Sequence, residues 1–383
     1  MTNQQKNAGL YSLKMIKRLS LLLIVCVIFF GIVFNIGKIS ADDFKRMFVR
    51  IGNGLSADAQ ESSGEIPVSD DPTMSAIKFK DGIAVSTSDR LRVFDRSGIE
   101  FYSSKLVMAD PIIRTTDKRI MIFDRGGKTL GVYTSFACIG EIKTDHEIIN
   151  ASINEKGYIA AATQADGYKS MVTLYNANLA EKYKYYSADG YILNTAVYGS
   201  GKQIACSALL AGGNKCRITA YNTSSEEPLC SITLNSCFVY DLEYIAKDKV
   251  IAVTDTGWYL INTSENAIID TSAYSGASLS CFKKEGTKGV FVFSDNGNRS
   301  TVTVCDFIAG TESQFSVNGA VQSIALDEGK MALYASGKLL CCDMAGTEIF
   351  TEEIAARKVI DLMGKYVIIA HSGGISYIEI QEK

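Results

Sequence analysis

One short pattern recurs eight times along this chain and constrains its fold more than any other feature. A polar turn ending in Gly, Lys or Arg leads into an apolar run. The copies are Asp81-Gly82 before IAVST, Lys118-Arg119 before IMIFD, Lys156-Gly157 before YIAAAT and Gly201-Lys202 before QIACSA. They continue with Asp248-Lys249 before VIAVTD, Lys288-Gly289 before VFVFSD, Gly329-Lys330 before MALYAS and Gly364-Lys365 before YVIIAHS. Successive copies start 35 to 47 residues apart. That is the repeat length of a four-stranded propeller blade.

Each copy sits among further strand candidates. Inner runs begin near Met74, Pro111, Ile148, Ile192, Val239, Leu279, Val321 and Lys358, and third runs near Leu91, Leu130, Met171, Cys216, Gly257, Thr301, Lys338 and Gly374. A fourth follows in seven copies, as at Cys138, Lys182 and Glu348. These runs carry the β-branched and aromatic residues of a half-buried pleated surface, separated by Asn, Asp, Gly and Ser. Asp-x-x-Gly recurs at Asp95-Gly98, Asp124-Gly127 and Asp343-Gly346, and is expected between third and fourth strands. There Asp can bond its own turn backbone and Gly can supply a positive φ. The last copy stops after its third strand, so 65–69 (EIPVS) is the candidate for the missing outer strand. Pro67 suits a strand with one unpaired side.

The expected fold is therefore all-β: a β-propeller of eight four-stranded blades, with seven as the alternative, preceded by a single transmembrane helix. With its Asp-x-x-Gly turns the chain resembles propellers of the quinoprotein and outer-membrane-assembly type. It is more closely similar to a family of single-pass, membrane-anchored propellers of unknown function found in clostridia and relatives. WD-type repeats fit less well, because Trp258 is the only Trp and no Trp-Asp ends a strand.

The transmembrane expectation rests on Leu19–Gly37, which holds no charged residue and is long enough to cross a bilayer. Residues 1–18 form a basic tail, 38–72 a juxtamembrane helix and linker, and 73–383 the propeller. Lys14, Lys17 and Arg18 precede the apolar run and no small-residue cleavage site follows, which favours an uncleaved signal anchor. Basic residues flank both ends equally. The short N-terminus is placed inside and the propeller outside, because large domains translocate with little regard to charge. After the anchor, Phe44, Met47, Phe48 and Ile51 fall on one helical face opposite Lys45, Arg46 and Arg50. Membrane lipid is thus one expected partner, through Leu19–Gly37.

The formal net charge of −3 and the absence of a basic stripe argue against nucleic acid. Ten cysteines show no C-x-x-C or Cys/His spacing, and those inside strand-like runs read as small buried hydrophobes with free thiols. Cys341-Cys342 invites comparison with the vicinal disulfide of quinoprotein dehydrogenases. Adjacent strand residues point to opposite faces, however, and no cofactor is expected. Asp295-Asn296-Gly297-Asn298 reads as a hairpin turn before a Ca²⁺ loop.

Catalytic motifs are missing, and only two histidines, His146 and His371, are present. The chain is accordingly read as a non-enzymatic binding module for a protein or envelope polymer. The alternative is an enzyme or ligand sensor in the axial funnel. Loops between second and third strands, and between blades, share one face. They offer Asp89, Arg90, Asp166, Tyr168, Asn214, Lys215, Asp255, Asp295, Arg299 and His371 as candidate contacts. Soluble turns are the plainer reading of each.

Overall fold

The computed structural model describes residues 17–24, 26, 42–43, 45–46, 48–49, 65–68, 74–274, 278–295, 299–356 and 358–381. The chain divides into two units, Met1–Gln60 and Glu61–Lys383. In the first, residues 17–24, 26, 42–43, 45–46 and 48–49 are helical. The rest of Leu19–Gly37 and of the juxtamembrane helix lies outside the described residues. Among the described residues, no helix is long and apolar enough to cross a membrane.

The second unit is a ring of eight four-stranded antiparallel sheets, blades I to VIII. Their innermost strands are Ser75–Phe79, Pro111–Thr115, Ile148–Ile153, Gly190–Tyr198, Val239–Ala246, Leu279–Glu285, Val321–Asp327 and Lys358–Met363. In blades I to VII, three more strands follow outward in chain order. Eight blades, not seven, is the outcome. The repeated apolar phrase is the second strand of each blade. Both of its faces are buried, so it reads as a continuous apolar run, as in a two-sided sheet.

The core lies between blades. Val250 and Ala252 pack toward Ile218 and Ala220 of blade IV, whereas Ile251 and Val253 meet Phe291 and Phe307 of blade VI. Cys341 and Cys342 follow the same alternation: Cys341 packs with Val359 and Val367, Cys342 with Val292 and Leu333. All ten cysteines are free. Burial pushes the thiols of Cys206, Cys305, Cys341 and Cys342 up to about 12, so they remain neutral fillers.

Turn chemistry is more regular than the Asp-x-x-Gly motif implies. Asp95, Asn222, Asn262, Asp306 and Asp343 each end a third strand, Asn176 directly follows one, and all six accept backbone N–H groups of the following turn. Those bonds hold the Asp306 and Asp343 carboxyls below the usual range. The Asp124-Gly127 turn is a correction. It joins the second and third strands of blade II, Ile120–Asp124 and Thr129–Tyr133, not the third and fourth.

The N-terminal segment closes the ring. Ile66–Pro67 is the outer strand of blade VIII, with Ile66 opposite Ile375 and Pro67 opposite Gly374. Ile66 is 1% exposed, wedged among Ile83 and Phe94 of blade I and Ile368 and Ile375 of blade VIII. A Cβ on Gly374 would sit 2.3 Å from the Ile66 carbonyl oxygen, so the pairing needs glycine there. Arg92 of blade I donates to the Pro67 carbonyl at 3.1 Å.

Toward the axis, six inner strands carry a bulge at the same place. Register shifts fall at Ile148/Asn150, Ile192/Asn194, Val239/Asp241, Leu279/Cys281, Val321/Ser323 and Val359/Asp361. A bulge re-aims the next side chain. Four of these side chains then bond the next blade. Asn150 Nδ2 donates to the Leu193 carbonyl and Asn194 Nδ2 to the Val239 carbonyl, both at 2.8 Å. Cys281 Sγ donates to the Val321 carbonyl at 3.8 Å, and Ser323 Oγ accepts from Val359 N at 2.8 Å. Asp241 and Asp361 occupy the remaining positions and, among the described residues, accept only their own next amide, Leu242 N and Leu362 N. An ionised carboxylate cannot donate to a neighbouring carbonyl.

Two outcomes follow for stability. Ile66→Ala should cost about 2–5 kcal/mol, the usual range for a buried isoleucine, in urea denaturation followed by tryptophan fluorescence of Trp258. Asn194→Leu should cost about 1–2 kcal/mol in the same assay, because the Val239 carbonyl loses its donor.

Candidate functional site

In each blade the meander places the loop between second and third strands, and the link to the next blade, at one end of the barrel-like ring. Call this the upper face. Among the described residues of the propeller, five aromatic rings are exposed, between 39% and 56%: Tyr168, Tyr186, Tyr191, Phe238 and Tyr240. All five lie at this end, on blades III, IV and V. Tyr168 and Tyr186 pack with centroids 4.9 Å apart, Phe238 and Tyr240 with centroids 5.5 Å apart. Lys169 Nζ lies 5.6 Å from the Tyr191 ring centroid. Asp255 fixes Phe238: its Oδ1 accepts Phe238 N at 2.8 Å, and its own N donates to the Phe238 carbonyl at 3.1 Å.

Phe238 and Tyr240 stand at the mouth of an axial cavity of about 900 Å³, walled by the inner strands of blades II to V. Along those strands the bulge sets the register. Asn150, Asn194 and Asp241 share one level, and Ser152 and Glu243 lie two residues further, on the same side of their strands. Blade II lacks the bulge and sends Arg114 into the cavity. A smaller cavity of about 300 Å³ opens toward the lower face, lined by Lys78, Glu155, Lys283, Lys284, Glu285 and Asp361 among others. Most of these charges are spoken for. Lys78 pairs with Asp327 at 2.6 Å and Lys284 with Glu243 at 3.2 Å, while Glu285 accepts Glu328 N at 2.7 Å.

Arg114 and Asp241 are different. The guanidinium makes one long bond of 3.5 Å, to its neighbour's carbonyl at Ile113. Each feels the other's charge, yet among the described residues no ion pair closes between them. Burial depresses the Arg114 pKa, with Asp241 offsetting and Arg125 adding to the effect. Burial likewise lifts the Asp241 carboxyl above its usual range, against the Leu242 amide and the charges of Arg114 and Lys284. Arg114 is exposed to solvent and Asp241 half-buried on the cavity wall.

The residues expected from sequence all stand at the upper face, spread around the ring. Asp89 accepts the Thr87 hydroxyl at 2.7 Å, and Arg90 is exposed beside it in blade I. Asp166 is fully in solvent, 3.6 Å from His146 Nε2. Asn214 and Lys215 are exposed on blade IV; Arg299 is exposed on blade VI. The Asp295-Arg299 segment is a hairpin with these two residues paired, and the side chain of Asp295 and residues 296–298 lie outside the described residues. Only Tyr168 and Asp255 join the aromatic cluster. His371 does not face the cavity. Its Nε2 lies 2.7 Å from Ser376 Oγ and 3.5 Å from Glu65 Oε1, beside the closing strand. Gly373 N donates to Nδ1 at 3.2 Å, so both ring nitrogens are engaged beside the closing strand.

Sequence reasoning missed Arg114, Asp241, Phe238, Tyr240, Tyr186 and Tyr191. A signal existed for Asp241: the third residue of the inner run is polar in IINA, ILNT, VYDL, VQSI and VIDL. Nothing in a single sequence marks five separated aromatics as neighbours.

The raised Asp241 pKa carries a sign. Folding favours the protonated carboxyl, so its stabilisation is full below the unfolded value of about 3.9 and is lost as pH rises through the higher folded value. Asp241→Asn removes that penalty and supplies a donor like Asn194. It should raise the Tm at pH 7, and the gain should shrink toward pH 4 in a thermal-denaturation series.

The chain belongs to DUF5711, a family of unknown function, whose model matches residues 57–380. Among curated proteins none matches the sequence. Among solved structures it is similar to the computationally designed Ika8 protein, with TM-score 0.63 and 11% identity, covering 82% of this chain and 99% of that one. It is also similar to the C-terminal WD40 domain of Sif2, with TM-score 0.58 and 10% identity, covering 83% and 97%. At such identities the likeness is one of fold alone, and a WD40-like ring here forms without Trp-Asp strand ends.

Proposed function

We propose that this propeller is a non-enzymatic recognition module, tethered to the cell membrane by Leu19–Gly37 with the ring outside the cytoplasm. It binds a protein or cell-envelope component across the upper face of blades III to V. The observation that carries this reading is the one-sided placement of the exposed aromatics. Rings held in water gain by burial against a partner, and Tyr and Phe dominate the centres of binding surfaces. The lower face offers no exposed aromatic among the described residues. Asp166, Lys169 and Lys215 give the patch the polar rim that such surfaces carry.

The reading also draws on what the histidines do. His371 serves ring closure and His146 sits in a turn beside a solvent-exposed Asp166, so neither is placed as a general base. Two measurements test the proposal. External protease should digest the propeller in intact cells; protection until lysis would place the ring inside. In membrane cross-linking, the triple change Tyr168→Ser, Tyr186→Ser and Tyr191→Ser should remove the specific adduct without lowering the Tm. Retention of the adduct would move the surface elsewhere.

A further inference from the structure

We infer that the axial cavity is a binding site for a zwitterionic amino acid or short peptide, held between Arg114 and Asp241 with its apolar side chain under Phe238 and Tyr240. Three observations converge on that chemistry. The cavity, about 900 Å³, has the size of a small-ligand site. Of the charged side chains on its wall, Arg114 and Asp241 attract each other but form no ion pair among the described residues, while Glu243 pairs with Lys284, Arg125 with Asp110, and Glu155 accepts Asp117 N. Its mouth carries two exposed aromatic rings, one of them pinned by Asp255.

Opposite charges kept apart on the wall of a cavity open to solvent match a ligand that brings both charges itself. The ligand carboxylate takes the Arg114 fork, which is planar and suited to two-point binding. The ligand ammonium takes Asp241, which lines the cavity and keeps Oδ2 uncommitted among the described residues while Oδ1 accepts Leu242 N. Asn150 and Asn194 beside them are committed to the Leu193 and Val239 carbonyls, so they hold the wall and leave the charged pair to select. A simple anion would satisfy Arg114 and repel Asp241. A simple cation would do the reverse. The aromatic rings then favour a large apolar or aromatic side chain over a small one.

This site shares Phe238 and Tyr240 with the patch of the proposed function but not Arg114 and Asp241, so zwitterion binding and partner cross-linking can fail independently. The test is calorimetric titration of the full-length chain in mild detergent with L-phenylalanine and the dipeptide Ala-Phe. Phenylalanine amide lacks the carboxylate, and N-acetylphenylalanine lacks the ammonium. At least one zwitterion should bind, with both blocked compounds weaker by about tenfold or more, the scale of a charged hydrogen bond. Arg114→Gln and Asp241→Asn should each cost a similar factor while the protein keeps its Tm or gains. Phe238→Ala should weaken L-phenylalanine more than L-alanine. No binding of either zwitterion at 10-fold above about 1 mM, or equal binding of the blocked compounds, would overturn the inference. So would undiminished binding by both charge variants.

Discussion

A four-stranded sheet has two apolar faces, and a single blade can bury neither. Everything else in this ring follows from that constraint. Each core cluster is built from two neighbouring blades, as with Val250 and Ala252 on one side of blade V and Ile251 and Val253 on the other. The array is stable only if the last blade also finds a neighbour, so the two ends of the propeller must meet. Ile66 performs that closure by standing in the core of blades VIII and I at once. His371, Arg92 and Gly374, which in isolation resemble site residues or loop residues, are accounted for by the same short strand.

At the axis the constraint is different. Inner strands converge around an open cavity, and the seams there add polar contacts to apolar packing. The repeated bulge answers this by aiming a short polar side chain at the next blade. Asn and Ser fulfil the task; Asp does not, because the ionised form only accepts. Asp241 therefore makes no bond to the next blade among the described residues, and its carboxylate lines a cavity where Arg114 likewise closes no ion pair among them. Residues that work against stability at one point of a repeated structural role are candidates for a role in binding.

Much of the ring was legible from sequence because the second strands are continuous apolar runs bounded by turns, and because blade VIII visibly lacked a strand. The opposite orientation of Cys341 and Cys342 followed from strand alternation alone. The turn at Asp124-Gly127 was misplaced because Asp-x-x-Gly closes hairpins at either end of a blade, and the motif does not say which. The site was far less legible. Loop residues such as Asp89, Asn214 and Arg299 do share a face, yet blades hold them apart. Arg114 sits in a run, PIIRT, indistinguishable from any half-buried strand. Its isolation from a partner is a fact of three dimensions, as is the gathering of Tyr168, Tyr186 and Tyr191 from two blades.

On the proposed function, recognition belongs to one face of the ring, on the arc where the aromatics stand. It is tested most directly by placing the photo-reactive p-benzoylphenylalanine at Tyr240 and, separately, at Ile308, an exposed turn residue of the opposite face. Irradiation of intact cells should give a discrete cross-linked species from position 240 and none from position 308. The same species from position 308, or from that position alone, would contradict the account.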